Sequence, residues 1–415
     1  MEEVVVEVVI VGGGPAGIAT SVCLNHLKIS NIVLEREDCC ASFWKKRAYD
    51  RLKLHLAKQY CQLPHMPFPQ EAPTFIPKNE FIRYLDEYVL CFDVILRWNR
   101  NVESAFYDSN SSKWSVVTRN TILEVYEVYF AKFFVVASGE NSQSYSLWDR
   151  YPYLGTLYYL NDSCTYEFSH HYVPQIHGLD GFGGTLMHSS LYQNGKQFSG
   201  KNVLVVGIGN SGAEIAYDLS NWGARTSIVA RSGVHFLTEE IVKLGMFLLK
   251  YLPTKLVDMI VLNLGKLKHG DMSKYGLKRP KEGPFFLKQT TGRSTTIDVG
   301  CIEKIRSGEI KVLPPITTIE GNTINFENGE THHFDDIIFA TGYRSNVKTW
   351  LKDYKALFND EGMPKQRFFE SKYYWRGENG LYCTGFSQRG LLGISEDAKS
   401  IANHISFILK TSNSD

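Results

Sequence analysis

The sequence predicts an α/β chain built from two Rossmann-like dinucleotide-binding domains. Three observations carry that reading. An apolar run ends in a glycine turn at Val8 to Gly17, VVIVGGGPAG. The same pattern returns from Asn202, where NVLVV leads into Gly207-Ile208-Gly209-Asn210-Ser211-Gly212. Each copy is followed by a second apolar strand, and those strands run out into side chains of opposite charge, Glu35 and Arg231.

In the first copy, Gly12 permits the tight turn, Gly14 lets the backbone approach a pyrophosphate, and Gly17 lets the helix lie against the strand. Gly13, Pro15 and Ala16 complete the loop. Phosphates would sit on the unpaired N–H groups at the positive end of the helix that follows. Glu35 lies 23 positions after Gly12, where a carboxylate accepts hydrogen bonds from ribose hydroxyls. Arg47, Arg51 and Lys53 form a basic group, read either as a solvated face or as a contact for cofactor or anionic substrate. Five prolines between Leu63 and Pro77 make that stretch irregular and stiff. Lys78 to Phe92 reads as an amphipathic helix. Trp114 to Thr118 and Ile122 to Phe130 read as an antiparallel meander, and Lys132 to Ala137 as a further buried strand running into Ser138-Gly139. Residues 142–172 carry many aromatics with neither a helical nor a strand period. A loop of that length without structure is uncommon in a compact domain, and the segment reads as an insertion.

In the second copy, Arg231 follows Gly207 by 24 positions. An acid there would repel a 2′-phosphate, whereas a guanidinium binds it in bidentate fashion. The first copy therefore suits FAD or NAD and the second NADP. The apolar region Ile241 to Leu267 is interrupted by Lys250, Pro253, Lys255 and Asp258, which is poor for a bilayer span and suits core or cap helices ahead of helices lying on a membrane surface. Asp335 to Ala340 reads as a strand closing in Thr341-Gly342, an echo of Ala137-Ser138-Gly139. These two strand ends predict two crossings between domains. Residues 1–175 and 344–415 would form the FAD domain and 176–343 the NADPH domain, with 142–172 as an insertion at the hinge. Leu381 to Phe386 reads as a final strand, and Ser395 to Lys410 as a helix whose N-terminus faces the flavin ring edge.

The net charge of +1 gives no reason to expect nucleic acid or an anionic membrane. Eight cysteines include no CxxC and no Cys/His cluster of zinc spacing, so no metal site is expected. The chain enters a strand within a few residues of its start, which argues against a secretory leader. These readings point to the cytoplasm, with contact to the endoplasmic reticulum surface left open. Two nucleotide domains fit a flavoprotein that takes hydride from NADPH. The missing cysteine pair argues against a disulfide reductase.

Phe182-x-Gly184-x-x-x-His188-x-x-x-Tyr192 matches the fingerprint of class B flavin-dependent monooxygenases. His188 reads as a structural histidine at the domain junction rather than a catalytic base. WKKRAYDRLKLHL (44–56), the second glycine loop, DMSKYGLKRP (271–280) and FATGY (339–343) look like the plant YUCCA-type flavin monooxygenases. The resemblance spans nearly the whole chain except 142–172, and departs from the family in having Ala137-Ser138-Gly139 where Ala-Thr-Gly is usual. It implies FAD, NADPH and O2, a C4a-peroxyflavin, and oxidative decarboxylation of a 2-oxo acid, indole-3-pyruvate, to the auxin indole-3-acetate. It names no catalytic base. An amine- or thioether-oxygenating enzyme would share every motif, and the hinge insertion leaves an inactive nucleotide-binding protein as a third reading.

Overall fold

The computed structural model describes residues 2–140 and 174–412, so the segment 142–172 lies outside the described residues. Among the described residues the chain divides into two compact units. The first comprises 2–47, 52–140 and 344–412; the second comprises 48–51 and 174–343. The inclusion of 48–51 in the second unit has no counterpart in the sequence reading.

The first unit opens with β1 (Glu2–Val11), α1 (Pro15–His26) and β2 (Asn31–Leu34). β1 becomes fully buried over Val8–Val11, where it pairs in parallel with β2. α1 starts with proline in its first turn, where a missing N–H costs nothing. Next come α2 (Ser42–Lys46), α3 (Lys78–Cys91), β3 (Leu96–Arg97), β4 (Arg100–Asp108), β5 (Lys113–Asn120) and β6 (Val125–Val136). α3 buries Phe81, Tyr84, Leu85 and Tyr88, the apolar face read from the sequence. The sheet order is β3-β2-β1-β6-β5-β4.

Two expectations are corrected here. The strands read at 122–130 and 132–137 are one continuous strand, β6, and residues 121–124 belong to the turn before it. β6 stays unbroken because β1 pairs with it in parallel from Glu127 to Val136, while its other edge is divided between two partners. Residues 125–131 pair antiparallel with β5, while 134–136 pair in parallel with a strand from the far end of the chain. β4 was not foreseen, because only Ala105 along it is fully buried and the period-2 signal is weak.

The second unit contains β7 (Thr185–His188), β8 (Asn202–Val206), α4 (Asn210–Asn221), β9 (Arg225–Val229) and β10 (Phe236–Leu237). An excursion of α5 (Glu239–Leu248), α6 (Thr254–His269) and α7 (Pro284–Thr291) then returns to β11 (Thr296–Ile297). The parallel pairing of β10 with β11 closes its base. α8 (Cys301–Ser307), β12 (Ile310–Leu313), β13 (Ile316–Glu320), β14 (Thr323–Phe326), β15 (Thr331–His333) and β16 (Asp336–Phe339) complete the unit. Its main sheet, β12-β9-β8-β16-β7, is parallel throughout. Strands of such a sheet are covered on both faces, and Val203, Leu204, Val205, Ile337 and Ile338 are accordingly inaccessible.

The chain returns to the first unit with α9 (Val347–Trp350), β17 (Leu381–Cys383) and α10 (Gly390–Ser412). β17 pairs with β6 and so extends the parallel part of that sheet. α10 begins five residues before the Ser395 read from the sequence. Gly390 and Gly393 look like loop residues, but Gly393 is a packing glycine inside the first turn. A Cβ there would lie 1.9 Å from the Ser387 hydroxyl.

Candidate functional site

Each unit holds a glycine cradle, and the two match atom for atom. Gly12 has φ +116°, and a Cβ on it would lie 2.5 Å from the Ala137 carbonyl; for Gly207 the values are +115° and 2.5 Å from the Ala340 carbonyl. A Cβ on Gly17 would come within 1.9 Å of the Gly12 carbonyl, and one on Gly212 within 1.9 Å of the Gly207 carbonyl. Only glycine fits at these four positions. The strand-end echo noticed in the sequence thus has a physical content: Ala137 and Ala340 end the neighbouring strands and form the wall behind each turn.

The middle glycines behave differently. A Cβ on Gly14 or Gly209 would meet nothing within 4 Å. These two residues are also the N-caps of α1 and α4, and neither helix receives a side-chain cap. Unpaired N–H groups at a helix start, facing open space over a glycine, form an anion seat. The residues therefore fit a dinucleotide pyrophosphate in both cradles.

The surroundings of the two cradles diverge. In the first, Glu35 is 6 % exposed. Its Oε2 accepts from the Gly13 N–H at 2.6 Å and its Oε1 from the Glu37 N–H at 3.0 Å. Burial pushes its carboxyl up, while the two backbone N–H groups pull the other way. The Ala41 N–H closes the same loop on the Gly13 carbonyl at 2.9 Å. Glu35 thus holds the loop itself, and its remaining lone pairs are the ones left for a ribose. Asp397 of α10 was missed by sequence reading. Its Oδ2 accepts from the Gly385 N–H at 3.3 Å, and a Cβ on Gly385 would lie 2.9 Å from that of Ala16. Burial pushes the Asp397 carboxyl up to about 7 against the hydrogen bond from Tyr374.

In the second cradle, Asn210 braces the loop. Its Oδ1 accepts from the Ile297 N–H at 2.7 Å and its Nδ2 donates to the Thr295 carbonyl at 3.4 Å. The Thr296 hydroxyl donates to the Ile208 carbonyl at 3.0 Å. Arg231 lies two residues past the end of β9, exposed, and no carboxylate among the described residues pairs with it. Arg293 reaches the next residue of the chain, donating to the Ser232 hydroxyl at 3.0 Å. That second cation sits 62 positions away in the chain, so spacing could not reveal it.

The basic group of the sequence does not hold together. Arg47 pairs with Glu37 at 3.0 Å, and Lys53 stands over the Phe75 ring. Arg51 belongs to the second unit, 4.3 Å over the Tyr217 ring, with its buried Nη1 lacking a hydrogen-bond partner.

The fingerprint residues pack the second unit. Phe182 is buried in its core, and a Cβ on Gly184 would lie 1.9 Å from the Asp335 carbonyl. Tyr192 is inaccessible and donates to Asp218 Oδ2 at 2.6 Å. His188 is 2 % exposed. Its Nδ1 faces the Ser190 N–H at 3.2 Å and the Ser190 hydroxyl at 3.1 Å, and its Nε2 lies 3.3 Å from the Gly342 carbonyl. A histidine held in this way braces the Gly342 strand end.

Two cradles of this kind, one beside a buried acid and one followed by an exposed arginine, define a two-nucleotide oxidoreductase. Residues 161–357 match the family described as flavin-binding monooxygenase-like, and residues 9–152 match the pyridine nucleotide-disulphide oxidoreductase family. The chain is 50% identical over 405 residues to the probable indole-3-pyruvate monooxygenase YUCCA10 of Arabidopsis thaliana, covering 97% of this chain and 98% of that protein. It is 42% identical to the indole-3-pyruvate monooxygenase YUCCA1 of Oryza sativa subsp. japonica, over 96% of this chain and 90% of that one. Among solved structures, the flavin-containing monooxygenase from Stenotrophomonas maltophilia superposes with a TM-score of 0.69 at 18% identity, covering 99% and 100% of the two chains. The chain belongs to the YUCCA family of flavin-dependent monooxygenases.

Proposed function

We propose that the chain converts indole-3-pyruvate to indole-3-acetate at the expense of NADPH and O2. The observation that carries this reading is the pair of matched cradles, Glu35 at the first and Arg231 at the second, in a chain half identical to a relative named for that substrate. One oxygen atom enters the shortened acid and the other leaves as water. The C1–C2 bond of the 2-oxo acid breaks, and CO2 carries away the carboxylate.

FAD, reduced by NADPH, supplies the oxygen chemistry; the protein binds, orients and excludes water. FAD belongs to the first unit, with Gly12, Gly13, Gly14, Pro15, Ala16 and Gly17 around its pyrophosphate and Glu35 at its ribose. NADPH belongs to the second unit, with Gly207 to Gly212 at its pyrophosphate and Arg231 at its 2′-phosphate. Arg293 is added to that phosphate site. Phe182, Gly184, His188 and Tyr192 hold the scaffold rather than react. Arg51, with a buried donor lacking an acceptor, is the candidate cation for the substrate carboxylate. The enzyme works in the cytoplasm, in contact with the endoplasmic reticulum surface.

The test is incubation of the purified yellow protein with NADPH, O2 and indole-3-pyruvate. Stoichiometric indole-3-acetate supports the reading. Oxygenation of an amine or a thioether, with indole-3-pyruvate untouched, would overturn it.

A further inference from the structure

The overall charge of +1 conceals a local segregation. Residues 239–293, the helical excursion, hold 11 Lys and Arg against 5 Asp and Glu, a net +6. Two of the five acids are turned inward. Glu239 is buried, and Asp258 accepts from the Phe285 and Phe286 N–H groups at 2.8 and 3.0 Å at the start of α7. Lys243, Lys250, Lys255, Lys266 and Lys268 are all exposed.

Between these lysines the helices present apolar side chains to water. On α5 and just beyond it, Leu244, Phe247 (50%) and Tyr251 (71%) are exposed at spacings of three and four. On α6, Leu256, Met259 (54%) and Leu267 (83%) fall on one helical face. The opposite faces are already used. Gly245 of α5 packs against Val261 of α6 and Phe285 of α7, and Val257, Val261 and Gly265 are buried. Exposed aromatic and aliphatic side chains flanked by lysines are the marks of a helix that rests in a lipid interface.

We infer that α5 and α6 dock on an anionic phospholipid surface, the apolar side chains entering the headgroup boundary and the lysines meeting lipid phosphates. Charge complementarity selects this occupant. A second copy seated on the same face would bring two strongly cationic lobes together, whereas an anionic bilayer neutralises the excess. The inference deepens the proposed localisation and rests on it; it does not depend on the substrate.

Sedimentation of the FAD-loaded chain with vesicles tests it. Binding is expected to phosphatidylcholine vesicles containing phosphatidylserine, to be weak with phosphatidylcholine alone, and to be reversed by salt. Removing each lysine, as in Lys266→Gln or Lys268→Gln, is expected to weaken it about fivefold. Phe247→Ser with Tyr251→Ser should weaken it further, with NADPH oxidation in vesicle-free buffer unchanged as the folding control. Equal binding to both vesicles, no binding, or a dimer that Phe247→Ser converts to monomer would each overturn it. Microsomal fractionation of plant cells separates the two readings: a chain that stays with microsomes despite Phe247→Ser and Tyr251→Ser keeps the localisation and overturns this surface.

Discussion

Asp397 shows how burial sets a titration. Its carboxyl is 3 % exposed and pushed up to about 7. In the unfolded chain it returns to the ordinary carboxylate range near 4. The folded state therefore holds a proton that the unfolded state gives up as pH rises between these values. This group's contribution to stability is fully present below pH 4 and is lost as pH climbs to 7, by up to about 1.4 kcal/mol per pH unit. Asp397→Asn imitates the protonated acid, its amide facing the Tyr374 hydroxyl and its oxygen facing the Gly385 N–H. The variant is expected to melt at a temperature that varies less over pH 4–7 and to be the more stable protein at pH 7, read by thermal denaturation of the flavin-loaded forms. Arg231 makes the complementary case on the surface. A charge-assisted contact to a phosphate contributes about 1.5–3 kcal/mol, so Arg231→Ala should raise KM for NADPH roughly tenfold to over a hundredfold and leave weak NADH use unchanged. Glu35→Ala should loosen FAD without altering that preference. An unchanged NADPH/NADH ratio in Arg231→Ala would pass the phosphate to Arg293.

At the scale of the strand–turn–helix element, the two cradles separate packing from binding. A Cβ on Gly212 strikes the Gly207 carbonyl, so Gly212→Ala must move α4 away from β8. That variant should lose NADPH binding and thermal stability together. A Cβ on Gly209 meets no protein atom and fills the open seat instead. Gly209→Ala should keep its melting temperature while KM for NADPH rises at least tenfold, about what displacing a phosphate from one or two N–H groups costs. Equal melting losses in both variants would mean that the open space over Gly209 is not a ligand seat. His188 belongs to this scale as well, since it ties the end of β7 to Gly342. His188→Ala should lower melting temperature and NADPH affinity together while the pH–rate profile keeps its shape. A profile that lost a limb would restore the histidine as an acid–base group.

For the whole molecule, the prediction concerns the segment 142–172. Its excision is expected to leave NADPH oxidation equal or better, measured on purified protein with bound flavin. Loss of folded protein on excision would make the segment part of the core. The excursion between β10 and β11 carries the other property of this scale, since its positive charge vanishes in the total for the chain.

Both glycine turns, Glu35, Arg231 and the parallel strands beside them were legible in the sequence. Those features are local: a turn needing positive φ, a helix packed on a carbonyl, and a strand buried on both faces each leave their mark within a few residues. What tertiary structure decided lies far apart in the chain. β6 is one strand because β1 pairs along it from Glu127 to Val136, even though β5 and β17 divide its other edge. Arg293 reaches Ser232 across 61 positions and Asp397 meets Tyr374 across 23. Arg47, Arg51 and Lys53, near neighbours in the chain, meet different partners: Glu37, the Tyr217 ring and the Phe75 ring. Spacing along the chain encodes a turn, whereas the meeting of distant side chains is set by how strands order themselves in a sheet, and that order is fixed by burial summed over the whole fold.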